Sequence, residues 1–279
     1  MIYYFLFSFI VLIAATIGAM AGIGGGVIIR PALDAFSYFD NSYITNVISA
    51  FCVFFVAITS VTKNVISKTK IEGYKHTIFL GVGAALGGIL GQYLFNLVKS
   101  ASNPNILIIV QSIILIVLLI FVFIYMQFLK DKGYSLVVKN YILDTIIGLF
   151  LGIISSFLGI GGGPINVAVL CLFFSMRMKQ ASINSLIVII FSQIAKIAYM
   201  LIDGSLIKLF DMSTLSSVDQ TWWIFLLILI PIAIIGSLTG TYLNKRLSNK
   251  VIQYAYVITL FVIIAINVYN IVINSIALG

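Results

Sequence analysis

Gly22-Ile23-Gly24-Gly25-Gly26 and Gly159-Ile160-Gly161-Gly162-Gly163 are one pentapeptide, GIGGG, occurring twice in the same chain. Each copy follows a long apolar run and precedes a short one: 2–21 and 27–37 around the first, 141–158 and 164–176 around the second. Each glycine costs a helix roughly 1 kcal/mol relative to alanine, so glycine this dense ends it. In a bilayer such a break is tolerated only where protein or a water-filled cavity covers the freed backbone. The two copies therefore predict paired interruptions at one functional centre. Simple helix packing is the competing reading, because Gly18, Gly22 and Gly26 have small-xxx-small spacing. Recurrence of the motif, each time before a helix too short to cross, favours a site.

The surrounding composition sets the environment. Of 279 residues, 62% are hydrophobic and 9% charged, with a mean hydropathy of +1.19; soluble domains are nearer half apolar and a quarter charged. The chain reads as an integral protein of the cell membrane. Its net charge of +8 falls in short loops, where it orients the protein in the bilayer, and nucleic acid is not an expected partner. The first run has no Lys or Arg before it and exceeds a signal-peptide core, so it reads as a first helix. Cys52 and Cys171 lie inside apolar segments and read as packing residues. With one histidine, His76, neither a metal site nor a cofactor is expected.

The remaining apolar segments are 43–62, 77–98, 104–129, 181–202, 222–243 and 251–273. A span needs about 20 residues, so 27–37 and 164–176 belong with the helices before them. The order then repeats. Residues 1–130 hold a hairpin (2–37) and three spans, and residues 139–279 hold a hairpin (141–176) and three spans. Ser49-Ala50 echoes Asn184-Ser185, and GGILGQYL at 87–94 echoes GSLTGTYL at 236–243.

Charge selects the topology. If each broken pair crossed once, the loops would hold eight basic residues on one side and seven on the other. If each pair enters and returns on one side, the clusters in 63–76, 130–139, 177–179 and 245–250 all face the same way. The count becomes 12 against 3, and Asp203, Asp211 and Asp219 face oppositely. The positive-inside rule selects the second arrangement. This is an all-α polytopic protein of two inverted repeats, with six full spans, two broken hairpins and both termini outside. Trp222-Trp223 opens a span on the outer side, as an aromatic belt does.

Inverted hairpins bring their tips together from opposite faces. Each tip leads into a helix N-terminus, and Pro164 is a helix-start signal. Unsatisfied N–H groups and the positive dipole end then point inward and favour an anion. The candidate ligand groups are Gly24, Gly25, Gly26, Gly161, Gly162 and Gly163 at the tips. On span 181–202, Ser185, Ser192 and Lys196 share one helix face and Gln193 flanks it. A lysine this deep in a span costs about 2.5–3.5 kcal/mol in lipid; it either serves the site or snorkels outward. The matching span offers Ser49. Arg30 and Asn166 follow the two breaks, and Arg30 either reaches the anion or marks the hairpin's edge. Asp144 reads as interfacial. The expected partners are a small anion and the lipid bilayer. No catalytic constellation is evident, so an enzyme is the remotest reading and a passive anion channel the nearer alternative.

GIGGG followed by Pro31-Ala32-Leu33, and GIGGGP followed by a basic loop and Ala181-Ser182-Ile183-Asn184-Ser185-Leu186, resemble the sulfite exporter TauE/SafE family over essentially the whole chain. In that family's pattern, position 30 is expected to be apolar, and the first half keeps only Ala50 of the small-residue segment cleanly. The resemblance implies a secondary transporter of small sulfur-containing anions such as sulfite or organosulfonates, usually outward.

Overall fold

The computed structural model describes residues 2–36, 38–39, 41–101, 103–129, 140–210 and 219–277. The basic cluster at 130–139 and Asp211 lie outside them. The helices are α1 (Ile2–Ala21), α2 (Gly26–Ala35), α3 (Ser42–Ile66), α4 (Tyr74–Ala101), α5 (Pro104–Ile124) and α6 (Tyr141–Leu158). They continue as α7 (Gly163–Phe174), α8 (Met178–Ile202), α9 (Ser205–Lys208), α10 (Trp222–Arg246) and α11 (Asn249–Ile276). No strand occurs among the described residues. Asn41, Asn103, Asn140 and Ser248 accept backbone N–H groups at the starts of α3, α5, α6 and α11, which satisfies donors a helix start leaves open.

Eight helices are long and apolar enough to cross a membrane, α1 and α6 among them. Only the second leg of each hairpin is short: α2 has 10 residues and α7 has 12. Both second legs fold back on the first. Gly25 packs on Ala14, and the Phe36 ring lies 5.6 Å from that of Phe7. The Phe174 ring, at the end of α7, and the Tyr141 ring, at the start of α6, both lie against His76.

The two hairpins open at opposite ends of α4. His76 sits at its start. Near its other end the Lys99 ammonium lies over Tyr43, and Tyr43 hydrogen-bonds Ser205 at 2.6 Å. Beside them, Phe225 of α10 packs on Tyr4, Phe7, Tyr38 and Phe39. This is the Trp222 end. At the basic end, Glu72 N and Lys70 O both bond the Gln180 side chain, while Lys179 reaches Asn249 and the Lys245 carbonyl. Three described basic clusters thus share one end of the bundle.

Helix pairing follows the glycines. α4 lies on α6 because Gly87 and Gly91 leave room for the carbonyls of Leu149 and Ile153; α10 lies on α1 because Gly236 and Gly240 do the same for Leu12 and Thr16. These glycines are packing residues, as their place within uninterrupted spans predicts. α3 and α8 cross at the centre, α3 also touching α10 and α8 touching α4. Large apolar side chains such as Phe5, Phe9, Phe150 and Leu227 face outward, which is the surface a lipid-embedded bundle presents.

Candidate functional site

The two pentapeptides adopt the same backbone. Gly22, Gly24 and Gly25 have φ of 77, 76 and 77°; Gly159, Gly161 and Gly162 have 66, 77 and 72°. Positive φ is the region that glycine enters freely and other residues rarely do. The fifth glycine of each copy is helical and meets the opposite break. A Cβ on Gly26 would lie 2.7 Å from the Ile160 carbonyl oxygen, and one on Gly163 would clash with that of Ile23. The tips therefore touch reciprocally. Gly24 and Gly161 both face Val53, and Gly24 also faces Ile189. Val53 and Ile189 are the middle of the 25-residue helices α3 and α8.

Serines from the crossing helices hold the tips. Ser49 Oγ donates to the Gly159 carbonyl at 3.0 Å, and Ser185 Oγ donates to Gly22 at 2.7 Å, with Gly163 at 3.5 Å. Both candidates are thus at the breaks, with their hydroxyl protons committed to backbone. Ser192 Oγ bonds Ile189 O within its own helix at 3.0 Å. Neither Gly25 nor Gly162 carries a side-chain cap, so the α2 and α7 starts keep N–H donors that no side chain caps.

Toward the Trp222 end from the tips lies a buried cation pair. Lys196 is 0% and Arg30 2% exposed. Lys196 Nζ donates to Asn46 Oδ1 at 2.8 Å, with the Ser156 carbonyl at 3.5 Å. Arg30 Nη1 donates to the same Asn46 Oδ1 at 3.2 Å and to Leu158 O at 2.7 Å, and Nη2 donates to Gln111 Oε1 at 2.7 Å. Asp34 lies 3.6 Å from Arg30 Nε. Among the described residues no carboxylate pairs with Lys196. Arg30 is inside the bundle, not at the hairpin's outer edge, and Lys196 does not snorkel.

Several buried polar atoms here have no protein partner: Ser155 Oγ, Ser156 Oγ, Asn166 Oδ1, and both Gln193 Nε2 and Oε1. Ser155 and Asn166 border Gly162, and Ser156 Oγ faces Gly88. A buried polar group without a partner costs about 1–3 kcal/mol, and Ser156, whose carbonyl lies 3.5 Å from Lys196 Nζ, joins this group to the cation pair. Reading the sequence missed Asn46, Gln111, Ser155 and Ser156. A carboxamide inside an apolar span signals Asn46 and Gln111. The Ser155-Ser156 pair just before GIGGG has no counterpart at Gly18-Ala19.

Asp144 is fully buried, with His76 Nδ1 2.7 Å from its Oδ2; it holds the basic end of the second hairpin to α4, away from the tips. No group of three His, Cys, Asp or Glu that could hold a metal occurs among the described residues.

Eight helices able to span, two breaks meeting at their middle and a buried cation pair define a polytopic membrane protein built around an internal polar site. The sulfite exporter TauE/SafE family matches residues 7–267, and the chain belongs to that family of membrane transporters. It is 25% identical over 272 residues, 90% of this chain and 92% of the relative, to the probable membrane transporter protein YunE of Bacillus subtilis (strain 168). No solved structure matches the chain.

Proposed function

We propose that this protein is a secondary transporter that moves a small sulfur-containing oxyanion, sulfite or an organosulfonate, outward by alternating access around the touching GIGGG tips. The observation that carries this reading is that Lys196 and Arg30 share the single carbonyl oxygen of Asn46. Arg30 also has the Asp34 carboxylate at 3.6 Å, so Lys196 is the cation that a neutral amide oxygen compensates only in part. Asn46 Oδ1 stands where an anion oxygen would sit. Ser156, Gln193 and the capless helix starts would supply further donors. Gly24 to Gly26 and Gly161 to Gly163 let the two tips and Val53 pack together, so the tips would meet the anion through the N–H groups of the capless helix starts.

Residues 1–130 and 139–279 are inverted repeats in this reading. In support, exchanging the halves maps the α4–α6 contact onto α10–α1, and Ser49 on Gly159 onto Ser185 on Gly22. The hairpins open at opposite ends, and the positive-inside rule places the basic end in the cytoplasm. The exchange does not preserve charge: Ser60, bonded to Thr241 at 2.7 Å, takes the place of Lys196. One anion site, not two, is the consequence.

The test is sulfite flux in proteoliposomes together with sulfite-induced thermal stabilisation of purified protein. Wild type should show saturable flux and a stabilising shift. Lys196→Met should keep the fold and lose both. Unchanged flux and shift in Lys196→Met would remove the lysine from the site.

A further inference from the structure

At the Trp222 end lies a polar cavity of about 380 Å³, lined by Tyr43, Asn96, Lys99, Ser100, Ser205 and Lys208 among others. Lys99 is held over the Tyr43 ring at 4.7 Å, and Lys208 is exposed. The nearby carboxylate, Asp203, is occupied: Oδ1 accepts from Ser205 N at 2.9 Å and Ser205 Oγ at 2.5 Å, and Oδ2 accepts from Asn96 Nδ2 at 2.8 Å. Among the described residues neither lysine is ion-paired with it. Two cations therefore share a cavity with one carboxylate, which Ser205 and Asn96 of the lining hold in place, and the balance of charge is positive.

This cavity is joined to the buried cation pair by a file of carboxamides. Asn46 Nδ2 donates to Gln92 Oε1 at 3.2 Å, and Gln92 Nε2 donates to Asn96 Oδ1 at 3.0 Å. Asn46 and Gln92 are fully buried, while Asn96, which lines the cavity, is half-buried. Both ends of the file fix its direction. Asn46 must turn its oxygen toward Lys196 and Arg30, and Asn96 must turn its NH2 toward Asp203. Every amide thus points oxygen inward and N–H outward, a uniform polarity that runs from the cation pair to the Asp203 carboxylate at the cavity wall.

We propose that the cavity is a peripheral oxyanion subsite, an outer way station that receives a small anion such as a sulfonate from Lys196 and Arg30 along the carboxamide file before it is released. It rests on the reading of that pair as the central anion site. Lys99 and Lys208 supply the attracting charge, and Asn96 and Ser205 supply neutral polar groups. Because the cavity is open to water, its pull is electrostatic and screened within about 8–10 Å at ordinary ionic strength, so it draws the anion outward without holding it tightly.

The experiment places a cysteine at Ser100, which lines the cavity and is exposed. The native Cys52 and Cys171 are buried. Full-length Ser100→Cys is labelled at low ionic strength with the sulfonate-bearing 2-sulfonatoethyl methanethiosulfonate and with its trimethylammonium analogue. Each rate is divided by that reagent's rate with free 2-mercaptoethanol. The anionic reagent should lead by about tenfold, in the range that charge focusing gives. Adding Lys99→Gln and Lys208→Gln, or salt, should abolish the lead, and ethanesulfonate at matched ionic strength should slow the anionic reaction in the lysine-containing protein only. Equal rates, a cationic lead, or a lead that survives both substitutions would overturn the subsite. Lys196→Met in the Ser100→Cys background separates the two readings. If it leaves sulfite-induced stabilisation intact, the central site fails. The labelling ratio at Ser100→Cys reports the outer subsite independently.

Discussion

Asn46 Oδ1 accepts from Lys196 Nζ at 2.8 Å across the α3–α8 contact, with both residues fully buried. The amide holds the place of a charge with a dipole. Asn46→Asp would put a full negative charge there without changing shape. The variant gains a charge partner for Lys196 but loses the Asn46 Nδ2 bond to Gln92 Oε1 at 3.2 Å, and the two effects oppose each other in thermal stability. The variant should lose sulfite binding, because the site carries its own anion. Sulfite-induced stabilisation that survives Asn46→Asp would remove Asn46 from the site.

The tips require glycine for two reasons that separate experimentally. Gly204 has φ of 73° and open space where a Cβ would go, so Gly204→Ala costs only the left-handed backbone term, about 1–2 kcal/mol. Gly163 is helical, but its Cβ would collide with the Ile23 carbonyl. Gly163→Ala must push the tips apart, an overpacking cost of typically about 1–3 kcal/mol located at the site. Gly204→Ala should retain transport and Gly163→Ala should not, in flux assays on equal amounts of folded protein.

His76 is the protein partner of a buried carboxylate, Asp144, whose Oδ1 has none. His76→Ala should destabilise by about 1–3 kcal/mol, because the buried acceptor loses its donor. Adding Asp144→Leu should restore part of that loss. A double-mutant cycle on thermal unfolding measures the coupling, and strict additivity would mean the contact contributes nothing.

Orientation is testable at two exposed positions. Phe210 is at the Trp222 end and 61% exposed; Lys70 is in the basic loop. In intact cells a membrane-impermeant thiol reagent should label Phe210→Cys and spare Lys70→Cys until the membrane is opened. The reverse pattern would invert the orientation proposed from loop charge.

Much of the fold was legible because bilayer physics writes strongly into sequence. A run of apolar residues has to be a helix in lipid, and glycine-dense segments have to interrupt it, so nearly every helix was found within a few residues. The helices overrun the apolar runs where polar ends continue them, as at Asn64 in α3 and Lys99 in α4. The site was only partly legible. Lys196 and Arg30 announce themselves as charges in apolar surroundings, and the glycines by repetition. Which face a polar residue turns, and which distant residue meets it, does not follow from helical period.

GIGGG by itself determined that two helices break, that glycine is needed there, and that the breaks are equivalent. Those follow from backbone sterics local to five residues. Tertiary structure alone decided that Gly26 meets Ile160 while Gly163 meets Ile23, that Ser49 and Ser185 spend their protons on opposite tips, and that one asparagine oxygen joins two cations 166 residues apart in sequence. Such contacts depend on how α3 and α8 cross between the hairpins, which no local pattern encodes.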